Sequence, residues 1–555
     1  MRWPLNLLVA LAFVIPVSAL AIEEGEDMTR QDRTALLYAT KFLFTKDHIP
    51  IVTVLVMEGE NSIQFSSSAP MTFLPEGEGG PQITIGKGPV DCTATLEAGK
   101  PAKIRHWVAL EQIAARNFDE VRKAQDLWAN RGLKVRSFER GSVFGFFGRV
   151  LDNRTLTLVE DSPFDDPKAA QLHRTELAAK LGVPTLEDFE EVVERPNGLV
   201  RIKCQGQAAD MLFPGMVAIA TQADSITVHK VEFGKGFAWH GRENRQYRGQ
   251  LIFTPDREGK LAAVNAVDAE TMLKGLVPSE IYNDAPMEAL KTQATCARSE
   301  LFAKLGNRHS ADPYMVCADV HCQVYKGKGR ENPRTSKAVD DTRGKMVFTD
   351  NGLADAVYSS NCGGHTESGG LVWQGADHQY LAGVPDVPGG FVVYPEGVNE
   401  QSVAHFIENP PQAFCGSTKY GKGTYRWTKT VSTDKMRSGI LEQAGVDVGE
   451  IKELKILERG VSGRITRLEV VGSKRSVVLQ PELRIRKAFD GLRSSLFVHK
   501  LTSENGRPAY EFTGAGFGHG VGMCQVGAIG RAQHGQDFET ILKHYYPGTV
   551  VTRIY

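Results

Sequence analysis

The stretch "VPSEIYNDAPMEALKTQATCARSELFAKLG", residues 277–306, predicts a buried helix that follows a single acid, Glu280. Asp284 is suited to cap this helix, Pro286 to its first turn and Gly306 to its end. One face carries apolar residues at spacings of three and four: Leu290, Ala294, Ala297, Leu301 and Leu305. Glu280 lies outside this pattern, on a tight segment that leads into the helix. A loop glutamate is ordinarily solvated, so a function for Glu280 needs further support.

Length and composition indicate a folded protein of several domains. A chain of 555 residues accommodates about three or four domains, and 41% hydrophobic residues suffice for packed cores. The net charge of -1 and the pI near 6.9 argue against a broad basic surface for nucleic acid or anionic membrane. We therefore expect no nucleic-acid partner.

The N-terminus resembles a signal peptide over residues 1–21. Arg2 precedes an apolar run from Leu5 to about Val17, and a small-x-small site ends at Ala21. This run is short for a membrane span, and no later stretch is long and apolar enough to be one. The prediction is an exported protein, periplasmic or associated with the cell wall, that keeps no stable membrane span after cleavage. An uncleaved anchor is the alternative.

Four regions follow the signal peptide in the sequence pattern. Residues 22–100 form an N-terminal region of unknown type, and 101–195 read as a small α+β unit of strand, helix and strand. Residues 196–235 form a strand-rich connector, and 236–555 form the region that contains Glu280. The predicted fold class is α+β, with several domains.

The segment "HSADPYMVCADVHC" carries two histidines and two cysteines: His309, Cys317, His321 and Cys322. These residues are a suitable set for a closed, tetrahedral zinc site, and four protein ligands leave no open position for a catalytic water. The alternative is a Cys317 to Cys322 disulfide beside two surface histidines, which export would permit. Spacing alone leaves both open.

Two segments are rich in glycine: "YSSNCGGHTESGGLVWQGADHQYL" at 358–381 and "GAGFGHGVGMCQVGA" at 514–528. Neither contains a phosphate-binding G-K-[ST] or a dinucleotide G-x-G-x-x-G that opens a helix. Alternating glycines remove side chains from one strip of backbone, so another chain can approach closely. His519 and Gln525 then remain as functional groups beside that strip.

These motifs carry a resemblance to a known family. "RQYRG", "VPSEI", "CADVHCQVYKG", "SSNCGGHT", "GFGHGVGMCQVGA" and "ILKHYYPGTVV" follow one another in order. From about Phe237 to Tyr555 the chain resembles the SpoIID/LytB family, the stage II sporulation protein D family of cell-wall enzymes. Residues 103–160 are similar in pattern to a peptidoglycan-binding SPOR-type module.

The resemblance implies a lytic transglycosylase that acts on peptidoglycan glycan strands, with Glu280 as its catalytic acid. A glycoside hydrolase normally needs two carboxyl groups. In a lytic transglycosylase the 6-hydroxyl of muramic acid is the nucleophile, so one carboxyl donates a proton and then accepts one, leaving a 1,6-anhydro end. Glu280 must then be protonated near neutral pH, which burial beside Val277, Ile281 and Tyr282 would favour.

The resemblance also implies other site residues. It favours a structural zinc ion at the His309 cluster, because some members of the family hold zinc in this loop. We expect a substrate groove whose candidates are Gln293, Arg298, His365, Trp373, His519 and Gln525. Of these, Gln293 and Arg298 either reach the groove or pair in the interior.

Two cysteines occupy positions where many family members have serine or threonine. Cys362 and Cys524 are expected to be neighbours and to form a disulfide between the glycine-rich segments. A cysteine peptidase, with either thiol beside His365 or His519, is a further alternative. The family also includes proteins described as amidase enhancers, so the main alternative is a non-catalytic glycan-binding activator of a cell-wall amidase. A zinc amidase would need an open metal site.

Overall fold

The computed structural model describes residues 30–75, 80–146, 149–183, 186–234, 240–319, 321–350, 352–373, 378–389, 394 and 396–555. The predicted signal peptide at 1–21 lies outside them. The α-helices of the described residues are Arg30–Leu37, Phe118–Asn130, Pro167–Leu181, Ala269–Glu280, Met287–Lys304, Pro333–Asp341, Gly369–Val372, Val403–Glu408, Thr433–Ala444, Glu482–Ala488, Gln525–Gln533 and Phe538–Tyr545. Short 3-10 helices are Lys328–Arg330, Gln379–Leu381 and Lys419–Gly421.

Two sheets combine strands from regions that the sequence pattern separates. The first has seven strands, in the spatial order Val316–Cys317, Ile51–Glu60, Leu261–Asp268, Gln250–Pro255, Val217–Thr221, Met71–Leu74 and Ile83–Ile85. The second has six, in the order Met211–Pro214, Asn197–Cys204, Val90–Lys100, Ser62–Ser67, Ile226–Phe233 and Gly241–Tyr247.

This pairing corrects the predicted boundaries between 22–100, 196–235 and 236–555. Strand Ile51–Glu60 is hydrogen-bonded along most of its length to Leu261–Asp268, and the interior positions of both strands are buried. Each strand therefore covers polar backbone and apolar side chains of the other, and neither region can bury its core alone. The three ranges contribute to one folded body.

The small α+β unit lies between two neighbouring strands of the six-stranded sheet. Its own sheet has the order Glu187–Glu194, Lys103–Ala114, Thr155–Glu160 and Val135–Arg140, with helices Phe118–Asn130 and Pro167–Leu181 between strands. A hairpin of Val143–Phe146 and Arg149–Asp152 precedes the third strand in sequence. Asn153, after this hairpin, donates to the carbonyls of Phe302 and Leu305 and so caps the end of helix Met287–Lys304.

The flanking strands of the host sheet are joined by a disulfide between Cys92 and Cys204, which face each other in the ladder. This bridge lies at one end of the two paired strands, and the inserted unit leaves them at the other end. It closes a loop that contains the whole unit, and such a crosslink restricts the unfolded chain.

The later part of the chain adds small sheets. Their strands are, sheet by sheet, Gly352–Leu353, Lys345–Thr349 and Val550–Arg553; Tyr358–Ser359 and Met523–Cys524; Arg426–Ser432, Arg507–Ala515 and Phe497–Glu504; and Ile451–Arg459, Ile465–Gly472 and Ser476–Leu479. The last two sheets share an apolar core with helices Thr433–Ala444 and Glu482–Ala488. The whole fold is α+β with many sheets, as expected, and is consistent with several domains.

The two glycine-rich segments lie side by side. Strand Tyr358–Ser359 pairs in parallel with Met523–Cys524, and Asn361 and Phe517 exchange backbone hydrogen bonds. Gly520 has a φ of +81°, and a Cβ there would lie 2.3 Å from the Arg464 guanidinium carbon. Only glycine fits so close an approach.

Among the described residues, none of the helices combines the length and the apolar character that a membrane crossing requires.

Candidate active site

Glu280 is the last residue of helix Ala269–Glu280 and not part of a lead-in loop, which corrects the sequence expectation. The side chain of Asp268 begins this helix by accepting from the backbone N–H of Thr271 at 2.9 Å. Pro278 lies inside the last turn, where its missing N–H removes one helical hydrogen bond. The helix follows directly from a central strand of the seven-stranded sheet, so the position of Glu280 is fixed by the core.

The carboxyl group of Glu280 is half-buried, and its Oε1 accepts from the backbone N–H of Val324 at 2.6 Å. Burial raises the pKa of Glu280 to about 7, and the charge of Glu300 raises it as well. The hydrogen bond from Val324 and the charge of Lys304 lower the pKa and only partly cancel this increase. A carboxyl group that titrates near neutral pH can donate a proton and take one back.

The helix Met287–Lys304 forms the wall behind Glu280. Its predicted apolar stripe is buried, yet polar residues on its other faces are buried too. Glu300 and Lys304 form a buried ion pair one turn apart near its end. Asp284 does not cap this helix; it pairs with Lys419 at 2.7 Å, and Pro286 occupies the cap position.

Two glutamines connect the second glycine-rich segment to Glu280. The Nε2 of Gln525 donates to the backbone carbonyl of Glu280 at 2.8 Å and to the Oε1 of Gln293 at 3.1 Å. Both side chains are buried. Gln525 is also the first residue of helix Gln525–Gln533, so the glycine-rich segment ends against the candidate catalytic residue.

Arg298 lies in the interior and not in a groove. Its guanidinium group forms two hydrogen bonds of 2.7 Å with the carboxylate of Glu270 and further bonds with the carbonyls of Lys345 and Val339. Its side chain is fully buried. Of the two alternatives for Arg298, the structure therefore favours pairing in the interior.

His519 and Trp373 bring the two glycine-rich segments together at the surface. Their rings lie 4.7 Å apart, and Trp373 is 38% exposed. The Nε2 of His519 donates to the carbonyl of Tyr358 at 2.9 Å, and its Nδ1 accepts from Val521 at 3.1 Å. Burial lowers the pKa of His519 to about 3, so the imidazole is neutral at physiological pH.

Burial and then the charge of Glu280 raise the pKa of Tyr358. Its hydroxyl is buried and has no hydrogen-bond partner within the described part of the chain. Tyr358 begins the first glycine-rich segment, but no pattern in the sequence marks it as a site residue.

His365 lies inside the protein, which corrects its expected place in an open groove. The side chain is buried and its Nδ1 donates to the carbonyl of Thr366 at 2.7 Å. Its own carbonyl accepts from Arg464, which anchors the turn. A donor so enclosed cannot reach a sugar without rearrangement of the turn.

The four predicted zinc ligands converge. Cys322 Sγ lies 3.3 Å from His309 Nε2 and 3.8 Å from His321 Nδ1, and Cys317 Sγ lies 3.7 Å from that same nitrogen. A tetrahedral zinc ion with usual bond lengths separates its ligand atoms by about 3.3–3.8 Å. Cys317 and Cys322 are both free thiols, so the alternative disulfide is not formed.

The carboxylate of Asp312 orients one of these ligands. Its Oδ2 accepts from His309 Nδ1 at 2.9 Å, which leaves Nε2 directed at the sulfurs. A carboxylate behind a ligating histidine is the usual arrangement in zinc sites. Asp312 is only three residues from His309 in the sequence. Its contact with the histidine depends on a turn in the backbone that the spacing alone does not predict.

Cys362 and Cys524 are neighbours but not a disulfide, which corrects the predicted bridge. The backbone N–H of Cys362 donates to the Sγ of Cys524 at 3.1 Å, and both thiols are free and fully buried. A third cysteine, Cys415, lies 3.7 Å from the sulfur of Cys362. The thiol of Cys362 contacts Cys415 and Asp386, and the thiol of Cys524 accepts from backbone N–H groups.

Sequence comparisons match two parts of the chain to known families. The model described as "Stage II sporulation protein" matches residues 257–348, and a domain of unknown function (DUF8618) matches 367–522. The chain is 26% identical over 362 residues to the stage II sporulation protein D of Bacillus amyloliquefaciens, which covers 62% of this chain and 92% of the relative. It is 30% identical over 301 residues to the amidase enhancer of Bacillus subtilis, 50% of this chain and 40% of that protein. An uncharacterized protein of Brachyspira hyodysenteriae is 29% identical over 313 residues, 56% of this chain and 73% of the relative.

The chain is thus similar to the SpoIID/LytB family. The part that matches the stage II sporulation protein contains Glu280 and all four candidate zinc ligands. Trp373 and His519 fall in the second matched range, and Gln525 follows it. The candidate site is therefore assembled from two matched ranges and the helix that follows them.

Proposed function

We propose that this protein is a peptidoglycan lytic transglycosylase in which Glu280 serves as both general acid and general base. The observation that carries the proposal is the half-buried carboxyl group of Glu280, with one oxygen held by Val324 and a pKa raised to about 7 by burial. The names of the relatives support a role in the cell wall. The Cys92 to Cys204 disulfide supports an exported protein, since such bridges persist in oxidising compartments.

The reaction needs one carboxyl group. Protonated Glu280 gives its proton to the glycosidic oxygen as the bond from that oxygen to C1 of muramic acid breaks. The 6-hydroxyl of the same sugar attacks C1, and its proton passes to the carboxylate of Glu280. One bond to C1 is broken and another formed, no water is consumed, and the acid is restored with a 1,6-anhydro end on the product.

The neighbouring residues would bind the glycan. Trp373 presents an exposed aromatic face to a sugar ring, and His519 fixes its position by ring contact. Gln525 holds the backbone carbonyl of Glu280, and Gln293 in turn accepts a hydrogen bond from Gln525 and so positions it. A few polar groups beside an aromatic surface are typical of ligand sites.

We propose further that His309, Cys317, His321 and Cys322 bind one zinc ion. The spacing of the ligand atoms and the carboxylate behind His309 fit this ion. The ion would fold the loop that supplies the N–H of Val324 to Glu280. Its role is structural, because four protein ligands complete a tetrahedral shell.

A second candidate function is a non-catalytic glycan-binding activator of a cell-wall amidase. The similarity to a protein named amidase enhancer favours it. It would leave Glu280 without a chemical role.

Product analysis separates the two functions. Purified glycan strands, with and without stem peptides, are incubated with the protein, and the products are analysed by mass spectrometry. Anhydro ends that disappear in Glu280→Gln but persist in Glu258→Gln, an exposed control glutamate, support the transglycosylase. Unaltered strands together with faster peptide release by an added amidase support the activator, and reducing ends would indicate a hydrolase.

A further inference from the structure

A second cluster of metal-binding side chains lies in the core beneath the glycine-rich segments. It consists of Cys362, Asp386, Cys415 and Cys524, all fully buried. One ligand atom from each residue lies within 4.8 Å of the others. No part of the proposed glycan chemistry uses these residues.

The distances in the cluster match one ion and not a disulfide. The sulfurs of Cys362 and Cys415 lie 3.7 Å apart, and Cys362 Sγ lies 3.7 Å from Asp386 Oδ2. Two thiolates on one tetrahedral zinc ion are separated by about 3.8 Å. Cys92 and Cys204 are covalently bridged in the same structure, whereas these three thiols are free.

Surrounding groups direct Asp386 at the sulfurs. The Oδ1 atom of Asp386 accepts from Tyr545 at 2.7 Å and from Arg531 at 3.1 Å. The Oδ2 atom accepts from the backbone N–H of Cys415 at 3.2 Å and faces the thiols. Partners of this kind orient the ligands of metal sites.

The surroundings of the Cys524 sulfur stabilise a thiolate. The sulfur accepts backbone N–H bonds from Cys362 at 3.1 Å and Gly527 at 3.2 Å. Cys524 caps helix Gln525–Gln533, and the positive end of a helix favours a thiolate. Together with the guanidinium group of Arg531, these donors offset part of the negative charge of three thiolates and one carboxylate.

We propose that Cys362, Asp386, Cys415 and Cys524 form a second, structural site for a thiophilic divalent ion of the zinc class. Binding would release the thiol protons to solvent. Hard ions such as magnesium or calcium prefer oxygen ligands, and a set of ligand atoms this compact encloses one ion and not an iron–sulfur cluster. The ion joins three loops to the start of helix Gln525–Gln533.

The site therefore acts on the proposed catalytic residue through one contact. Gln525 follows Cys524 directly, and its side chain holds the backbone carbonyl of Glu280. An ion that fixes Cys524 fixes this contact. The metal assignment itself does not depend on the proposed reaction.

Metal analysis of the full chain, purified without refolding, tests the proposal. We expect about two zinc ions per chain in the wild type, one for each cluster. Cys415→Ser and Cys322→Ser should each lose about one ion. Cys296→Ser is the matched control, since Cys296 is a free, fully buried thiol outside both clusters. X-ray absorption on Cys322→Ser should then report three sulfurs and one oxygen around zinc.

Two results on the wild type, which require no variant to fold, would overturn the proposal. One is a disulfide between any two of Cys362, Cys415 and Cys524 in an unreduced peptide map. The other is metal whose X-ray absorption spectrum contains only the two-sulfur, two-nitrogen environment of the first cluster. A zinc content that falls with Cys322→Ser but not with a folded Cys415→Ser also contradicts it.

Discussion

Replacing Glu280 with glutamine is expected to abolish glycan cleavage and to stabilise the protein at alkaline pH. The amide keeps the shape of the side chain and can still accept the hydrogen bond from Val324. It cannot transfer a proton, and loss of a general acid lowers a rate on the order of a hundredfold or more. The same substitution removes a charge that the site disfavours.

The expected stabilisation follows from the pKa of Glu280, which burial raises from 4.5 to about 7. The folded state binds this proton more tightly than the unfolded state, so the contribution to stability is full below about pH 4.5 and is lost as the pH rises to about 7. The difference of about 2.5 between the two pKa values corresponds to at most about 3 kcal/mol. The free energy of unfolding of Glu280→Gln should therefore exceed that of the wild type by up to this amount near about pH 8. The two free energies should be equal near about pH 4.

Hydrogen exchange of peptides from 269–280 and 287–304 measures this locally, because a multidomain chain does not unfold in one step. Variant and wild type are compared at each pH, with Glu258→Gln as control. Wild-type cleavage should decline above about pH 7, as the acid form of Glu280 is lost. Anhydro products from the variant, or equal protection of both proteins at the higher pH, would refute the reasoning.

Three other changes test separate parts of the structure. Asp312→Asn should lower zinc affinity at the His309 cluster by about 10–100-fold, measured by competition with a chelator. An affinity equal to that of the wild type would contradict the proposal that Asp312 orients His309. Trp373→Ala should weaken binding to glycan strands by about fivefold in a pull-down, since stacking on a ring is worth about 1 kcal/mol; unchanged binding would show that Trp373 does not contact the glycan. Arg298→Met should cost about 3–5 kcal/mol by leaving Glu270 buried and unpaired. Adding Glu270→Gln should restore part of that loss, measured by hydrogen exchange of the same two peptides, and no recovery would contradict the pairing.

Local pattern predicted the local structure around Glu280 well. The stripe from Leu290 to Leu305 is buried, and the glycine after the helix has a φ of +77°. The predicted cap was wrong, because Asp284 forms an ion pair with Lys419, which is distant in sequence. The helix that ends at Glu280 was missed, because Pro278 reads as a helix breaker when the preceding strand and cap are not considered.

Contacts between distant residues could not be predicted in the same way. The two histidines and two cysteines of the first cluster lie within one loop, so their spacing indicated a site. The second cluster is assembled from four separate segments, and nothing adjacent to Asp386 or Cys415 in the sequence marks them. The pairing of Ile51–Glu60 with Leu261–Asp268 spans most of the N-terminal half, where no local signal fixes a partner.

The placement of the small α+β unit has a consequence for how such proteins can change. The chain leaves the six-stranded sheet at Lys100 and returns at Asn197, and these two residues face each other across the ladder. For the sheet, the whole unit is one long hairpin loop, and the entropy of closing a loop grows only slowly with its length. Replacing the unit would nevertheless remove the cap that Asn153 provides, the packing of Phe144 against Phe42 and Phe302, and the ion pair between Glu190 and Arg257. The insertion point therefore tolerates a change in the length of the unit, whereas the hairpin that carries Phe144 must be kept because it packs into the core of the body that holds Glu280.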